Sequence, residues 1–150
     1  MIRIRGTLLP ENVLLDIDAK SVDEAVKQVT ESLRRDNRIS NWAEFIRNLR
    51  SREATGKTYL GFGITLPHIR TSSVNNMVMA VGRTAQPLYD GEVPIRFVVL
   101  VGIPRTMDSD YLRLLGNLMR VFRDEQLRDK LLDAQDPAEV IRIFERGETK

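Results

Sequence analysis

The sequence predicts an α/β protein, a single domain over residues 1–150 folded as a three-layer α/β/α sandwich around a mixed β-sheet. Three observations carry this. The middle third holds β-branched-rich segments bounded by turn residues, while both flanks hold amphipathic runs with helix caps. The run 97–101, "FVVLV", is apolar at every position, the pattern of a strand covered on both faces by helices. No repeat, low-complexity tract or Pro/Gly/Ser linker divides the 150 residues, a length suited to one compact core.

Taken in order, a short strand is expected near Val13 to Ile17. Ser21 and Glu24 then form a capping-box pattern, and Val22, Ala25, Val26, Val29 and Leu33 recur on one helical face. That helix should end near Asp36-Asn37. A second begins around Ser40, with Trp42, Phe45, Ile46 and Leu49 as its apolar face, and stops before Gly56. Strands follow at 63–68 ("GITLPH"), 77–83 ("MVMAVGR") and 95–103 ("IRFVVLVGI"), with Asp90-Gly91 as a turn signal between the last two. Asp108 or Asp110 can cap a helix carrying Leu112, Leu115, Met119 and Phe122. Asp124 starts another through Leu127, Leu131 and Ala134. Asp136-Pro137 opens the last, leading to Val140, Ile141 and Phe144.

Composition removes several function classes. The chain has no cysteine, which excludes disulfides, thiolate catalysis and cysteine-based metal sites. Its single histidine and scattered carboxylates offer no metal-ligand spacing, so neither a metal nor a cofactor is expected. A net charge of +2, spread without like-charge runs, and few aromatics, several of them in apolar helical stripes, argue against nucleic-acid binding. The stretch 97–103 is far short of the roughly 20 apolar residues of a membrane span. The first twelve residues lack an apolar signal core. A cytoplasmic protein without membrane insertion is the expectation.

Motifs that resemble nucleotide sites fail on context. "GKT" at 56–58 would need a glycine at position 51, which is Ser51, and it follows a helix rather than a strand. "GFG" at 61–63 lacks a third glycine and precedes a strand. There remains "GFGITLPHIR", which contains the lone histidine, His68. A solitary histidine is ordinarily structural or simply exposed. Here Pro67 should terminate the strand and place His68 at a strand end, Gly61 and Gly63 admit close approach, and Arg70 offers a cation two residues on. A neutral imidazole can attack phosphorus near neutral pH without an activating base.

The stretch "SREATGKTYLGFGITLPHIR" resembles the active-site segment of the enzyme IIA domains of the phosphoenolpyruvate-dependent sugar phosphotransferase system, in the fructose/mannitol/nitrogen-regulatory class. Arg52, Glu53, Gly56, Thr58, Gly61, Gly63, Ile64, Pro67 and His68 stand in register with the family pattern of an Arg-Glu pair, a small-residue turn and G-x-G-[IV]-A-[IV]-P-H. "LLPENVLLDIDAKSVDEAVKQV" and "DYLRLLGNLMRVFRDEQLRDKLLDAQDPAEVIRIF" are similar to the family's opening and closing segments.

The resemblance implies a phosphoryl relay in which His68 is the phosphoacceptor, loaded by the phosphocarrier HPr or a nitrogen-branch counterpart. Arg52 is implied as the phosphate-stabilising cation. Tyr111 stands where many members carry a second histidine, so that position keeps a hydrogen-bonding hydroxyl and loses the capacity for positive charge. Lys57 and Tyr59 replace small turn residues, and Thr65 replaces a common alanine. Lys57, Thr58 and Arg70 are phosphate-site candidates; Lys57 can equally point to water, and Arg70 can equally be a solvated rim residue. A stand-alone nitrogen-regulatory member is the leading expectation, acting on a regulated target protein. A sugar-specific component passing phosphate to enzyme IIB, or a non-catalytic interaction module on the same fold, are the alternatives.

Overall fold

The structure, a computed structural model, describes residues 2–148. A kinked helical turn, α1 (Ile4–Thr7), leads into β1 (Leu8–Ile17), α2 (Val22–Glu31) and α3 (Trp42–Ala54). Three short strands follow, β2 (Tyr59–Gly61), β3 (Ile64–Thr65) and β4 (His68–Arg70), then the long hairpin of β5 (Val78–Asp90) and β6 (Val93–Ile103). Helices α4 (Asp108–Arg123), α5 (Glu125–Asp133) and α6 (Pro137–Glu145) close the described chain. Among the described residues no helix is long and apolar enough to cross a membrane.

The six strands form one mixed sheet ordered β1-β5-β6-β3-β2, with β4 also pairing to β6. β6 runs antiparallel to β5 and parallel to β3 and β4, while β1 is parallel to β5. Alternation along β6 builds the sandwich. Phe97, Val99, Val101 and Ile103 enter the core under α4, α5 and α6, whereas Val98 and Leu100 enter the core under α2 and α3. The apolar run 97–101 is therefore buried on both faces, as its composition predicts.

Capping follows the sequence signals. Ser21 Oγ accepts from Glu24 N (3.1 Å), Asp124 from Leu127 N (3.1 Å) and Asp136 from Glu139 N (2.8 Å). Several boundaries differ from expectation. α2 gives way after Glu31 to tighter i→i−3 turns through Asp36, where Asn12 Nδ2 donates to the carbonyl of Ser32. β1 has ten residues rather than five. Met107, not an aspartate, is the N-cap of α4. The buried face of that helix overlaps the expected one only in part: Phe122 is buried and Leu115 packs against the core as expected, but Leu114, Leu118 and Val121 carry the rest and Leu112 is 65% exposed. The strand at 77–83 extends to Asp90, and Gly91 (φ +60°) makes the turn to β6.

The strand expected over 63–68 is interrupted rather than ended by Pro67. Ile64 pairs with Phe97 and His68 with Val101, so the same register against β6 continues across Leu66-Pro67. Pro67 loses only a donor; its carbonyl still accepts from Val101 N at 3.0 Å. His68 thus opens the resumed strand.

The sheet meets α2 closely at Gly82, where a Cβ would lie 2.4 Å from Val29 Cγ2 and 2.5 Å from Ile17 Cδ1. Both neighbours are fully packed core residues. Gly82→Ala should destabilise the fold by about 1–3 kcal/mol through overpacking, measured by urea unfolding. A variant as stable as the wild type would contradict this packing.

Candidate functional site

Four pieces of chain meet around His68: the last turn of α3, the 55–58 loop, β4 and the first turn of α4. His68 is half-buried. Its geometry begins with the hairpin β2–β3. Leu66 N donates to Thr58 O (2.8 Å), the last rung on that side, and the carbonyl of Leu66 is then left facing the strand's outer edge. His68 Nδ1 lies 2.9 Å from this carbonyl oxygen. A carbonyl only accepts, so Nδ1 carries the proton of the neutral ring and Nε2 keeps its lone pair.

The ring plane is set by Tyr111. The two rings stack with centroids 5.9 Å apart and an interplanar angle of 15°. Burial pushes the Tyr111 hydroxyl above its ordinary value, and the positive charge of Arg52 pulls it back. The hydroxyl therefore stays protonated and able to donate.

Arg52 reaches the site from the C-terminal turn of α3. Its guanidinium donates to Thr55 Oγ1 (3.3 Å), Gly56 O (3.2 Å) and Thr58 Oγ1 (3.4 Å). These are neutral acceptors. Among the described residues no carboxylate lies within ion-pair distance of Arg52. No ion pair among these residues neutralises it there, and its charge reaches Tyr111, the ring stacked on His68, an electrostatic arrangement that favours a dianionic phosphoryl group.

The other candidates are placed differently. Lys57 Nζ forms an ion pair with Asp23 Oδ1 of α2 at 2.7 Å. Arg70 Nε donates to Asp108 Oδ1 at 2.8 Å, which sets Arg70–Asp108 beside His68–Tyr111 as parallel contacts between β4 and α4. Thr58 is half-buried, with its hydroxyl accepting from Arg52. Thr65 is fully buried, and its Oγ1 has no hydrogen-bond partner. Sequence reasoning did not find the partners Asp23 and Asp108. Each is an ordinary surface aspartate far along the chain from the residue it holds, so no local spacing announces it.

Comparison with known proteins gives the chain a family. The model for "Phosphoenolpyruvate-dependent sugar phosphotransferase system, EIIA 2" matches residues 7–147. The chain belongs to this family. It is 30% identical over 126 residues to the 2-O-alpha-mannosyl-D-glycerate-specific EIIABC component of Escherichia coli, covering 81% of this chain and 19% of that protein. The chain thus spans about a fifth of that relative's length. Among solved structures, nitrogen regulatory protein IIA-Ntr from Neisseria meningitidis superposes with a TM-score of 0.82 at 24% identity, covering 94% of this chain and 98% of that one. Enzyme IIA mannitol from E. coli, solved in complex with phosphorylated enzyme IIB mannitol, gives 0.73 at 19% identity, covering 89% and 94%. At these identities the structures speak for the fold, and the family model speaks for membership.

Glu53, next to Arg52 in the chain, has a displaced titration. Burial lifts its carboxyl above the usual range, opposed by the charges of Lys57, Arg52 and His68. A carboxyl raised on folding contributes stability below its unfolded value, about pH 4, and loses that contribution as pH rises through the folded value. The Tm of wild type minus that of Glu53→Gln should therefore be more favourable at pH 4 than at pH 7. A difference that is flat, or that grows with pH, would contradict the buried placement of this carboxyl.

Proposed function

We propose that this enzyme IIA domain is a phosphoryl relay whose acceptor atom is Nε2 of His68. The observation that carries the reading is the Nδ1–Leu66 bond, which leaves Nε2 unprotonated on a ring stacked against Tyr111, within reach of the charge of Arg52. The donor is the phosphohistidine of an HPr-like phosphocarrier. The lone pair of Nε2 forms the new N–P bond while the donor's N–P bond breaks, and its electron pair returns to the donor imidazole. The Nδ1 proton of His68 stays in place, held by the Leu66 carbonyl. Arg52 and the Tyr111 hydroxyl meet the charge on the equatorial oxygens. The stack on Tyr111 keeps the ring in one plane for in-line attack.

For the onward step, a sugar-specific role with an enzyme IIB acceptor draws support from the 30% identical sugar-specific relative. A nitrogen-regulatory role, the leading expectation from sequence, draws on fold likeness alone. In that role the charge gained at His68, about −1.5 to −2 by analogy with other phosphoresidues, would change contacts with a regulated target protein.

Incubation with phosphoenolpyruvate, enzyme I and HPr, followed by intact mass, should show the gain of one phosphoryl group. His68→Ala should abolish it. Arg52→Met should slow phosphorylation about 10²–10³-fold, the usual loss when one transition-state donor is removed. No gain on the wild-type protein with any cognate carrier would favour the non-catalytic module.

A further inference from the structure

Arg52 donates all three of its side-chain hydrogen bonds to residues 55–58, a loop joined to the end of α3 through Thr55 N–Arg52 O and Gly56 N–Glu53 O and to Leu66 through Thr58 O. Thr55 and Gly56 are exposed, and Gly56 has φ +134°, a conformation that β-carbon-bearing residues rarely adopt. A loop of this kind is ordered by what it is tied to. Two ties leave it in different directions, one on each side of Thr58. Lys57 pairs with Asp23 in the first turn of α2. The Tyr59 hydroxyl donates to Asp90 at the tip of the β5–β6 hairpin. Lys57 is unusually covered for a lysine, with 24% of its side chain exposed, whereas Asp23 is 79% exposed. The ammonium is drawn to α2. Burial and the Asp90 bond hold the Tyr59 phenol well above its ordinary value, so the tie persists at any physiological pH.

We propose that Lys57 and Tyr59, anchored by Asp23 and Asp90, are positioning residues that fix the 55–58 loop and so orient the Arg52 guanidinium beside His68. The proposal rests on Arg52 being the phosphate-stabilising cation. It assigns Lys57 a role opposite to direct phosphate binding, and the two roles respond differently when Asp23 is altered. If Lys57 bound phosphate itself, releasing it from Asp23 would leave transfer unchanged or faster. If it is a loop anchor, releasing it loosens Arg52 and slows transfer.

The test compares wild type, Asp23→Asn, Tyr59→Phe, their combination, and the charge-swapped pair Asp23→Lys with Lys57→Asp. Two quantities are read: the single-turnover rate of His68 phosphorylation by phosphorylated HPr, and the ¹⁵N order parameter of the Arg52 Nε–H group. Exposed pairs contribute only about 0–1 kcal/mol to stability, so every variant should remain folded. In the combined variant the order parameter should fall from a rigid value near 0.85 to below about 0.6. The rate should fall about 10-fold, in keeping with loss of positional precision at a preorganised site. The charge swap should keep an ion pair between positions 23 and 57, with the rate within about twofold of wild type and the order parameter back near 0.85. An Arg52 signal as rigid in the combined variant as in wild type overturns the proposal, and so does an Asp23→Asn variant that transfers phosphate as fast as wild type. A wild-type protein that accepts no phosphate refutes the relay reading instead; the Arg52 order parameter then decides the anchoring by itself.

Discussion

A hydrogen bond of 2.9 Å between His68 Nδ1 and the carbonyl of Leu66 determines which nitrogen of the only histidine is available for chemistry. It exists because three features of the chain coincide. β2 ends its pairing at Leu66, so that carbonyl is not consumed by a ladder. Pro67 interrupts the strand without shifting its register against β6. His68 then resumes the strand with its side chain on the same face as Leu66. A bond of this kind contributes about 1 kcal/mol, a factor of about 5 between the two tautomers. The remaining parts of the site act on the nitrogen so exposed.

Those parts come from both faces of the sandwich. Tyr111 arrives from α4, whose buried stripe of Leu114, Leu118, Val121 and Phe122 anchors it on one side of the sheet. Arg52 arrives from α3, anchored by Phe45 and Leu49 on the other side. The sheet edge where β2 stops and β4 begins is the place where the two layers can reach one imidazole. Burial of β6 on both faces therefore does more than stabilise the domain. It fixes the relative height of the cation and the stacking ring, which no local sequence feature sets.

What was legible in the sequence divides along the same line. The layers, caps and central strand were readable because they depend on local periodicity: Ser21, Asp124 and Asp136 cap as their spacing implies, and 97–101 is buried throughout. The face of α4 was legible only in part: Leu115 and Phe122 face the core and Leu112 does not, since its leucines at 112, 114, 115 and 118 fit more than one stripe and only the sheet beneath chooses among them. The interruption at Pro67 was read as a strand end because a missing donor signals termination locally, while the continuing parallel register is set by a strand some 33 residues later, as the pairing of His68 with Val101 shows. His68, Arg52 and Tyr111 could be singled out through a motif. The engagement of Lys57 by Asp23 and of Arg70 by Asp108 could not, because each is a tertiary ion pair between surface residues with no spacing rule.

The central claim, that His68 presents an unprotonated Nε2, is open to one direct measurement. Long-range ¹H–¹⁵N correlation spectra of the imidazole, recorded at a pH where the ring is neutral, distinguish the two tautomers through the shifts of the two nitrogens. The account predicts a protonated Nδ1 and a bare Nε2 as the dominant form. A ring found mainly with its proton on Nε2 would contradict it, because the Leu66 carbonyl would then have no donor and Nε2 would have no lone pair to offer.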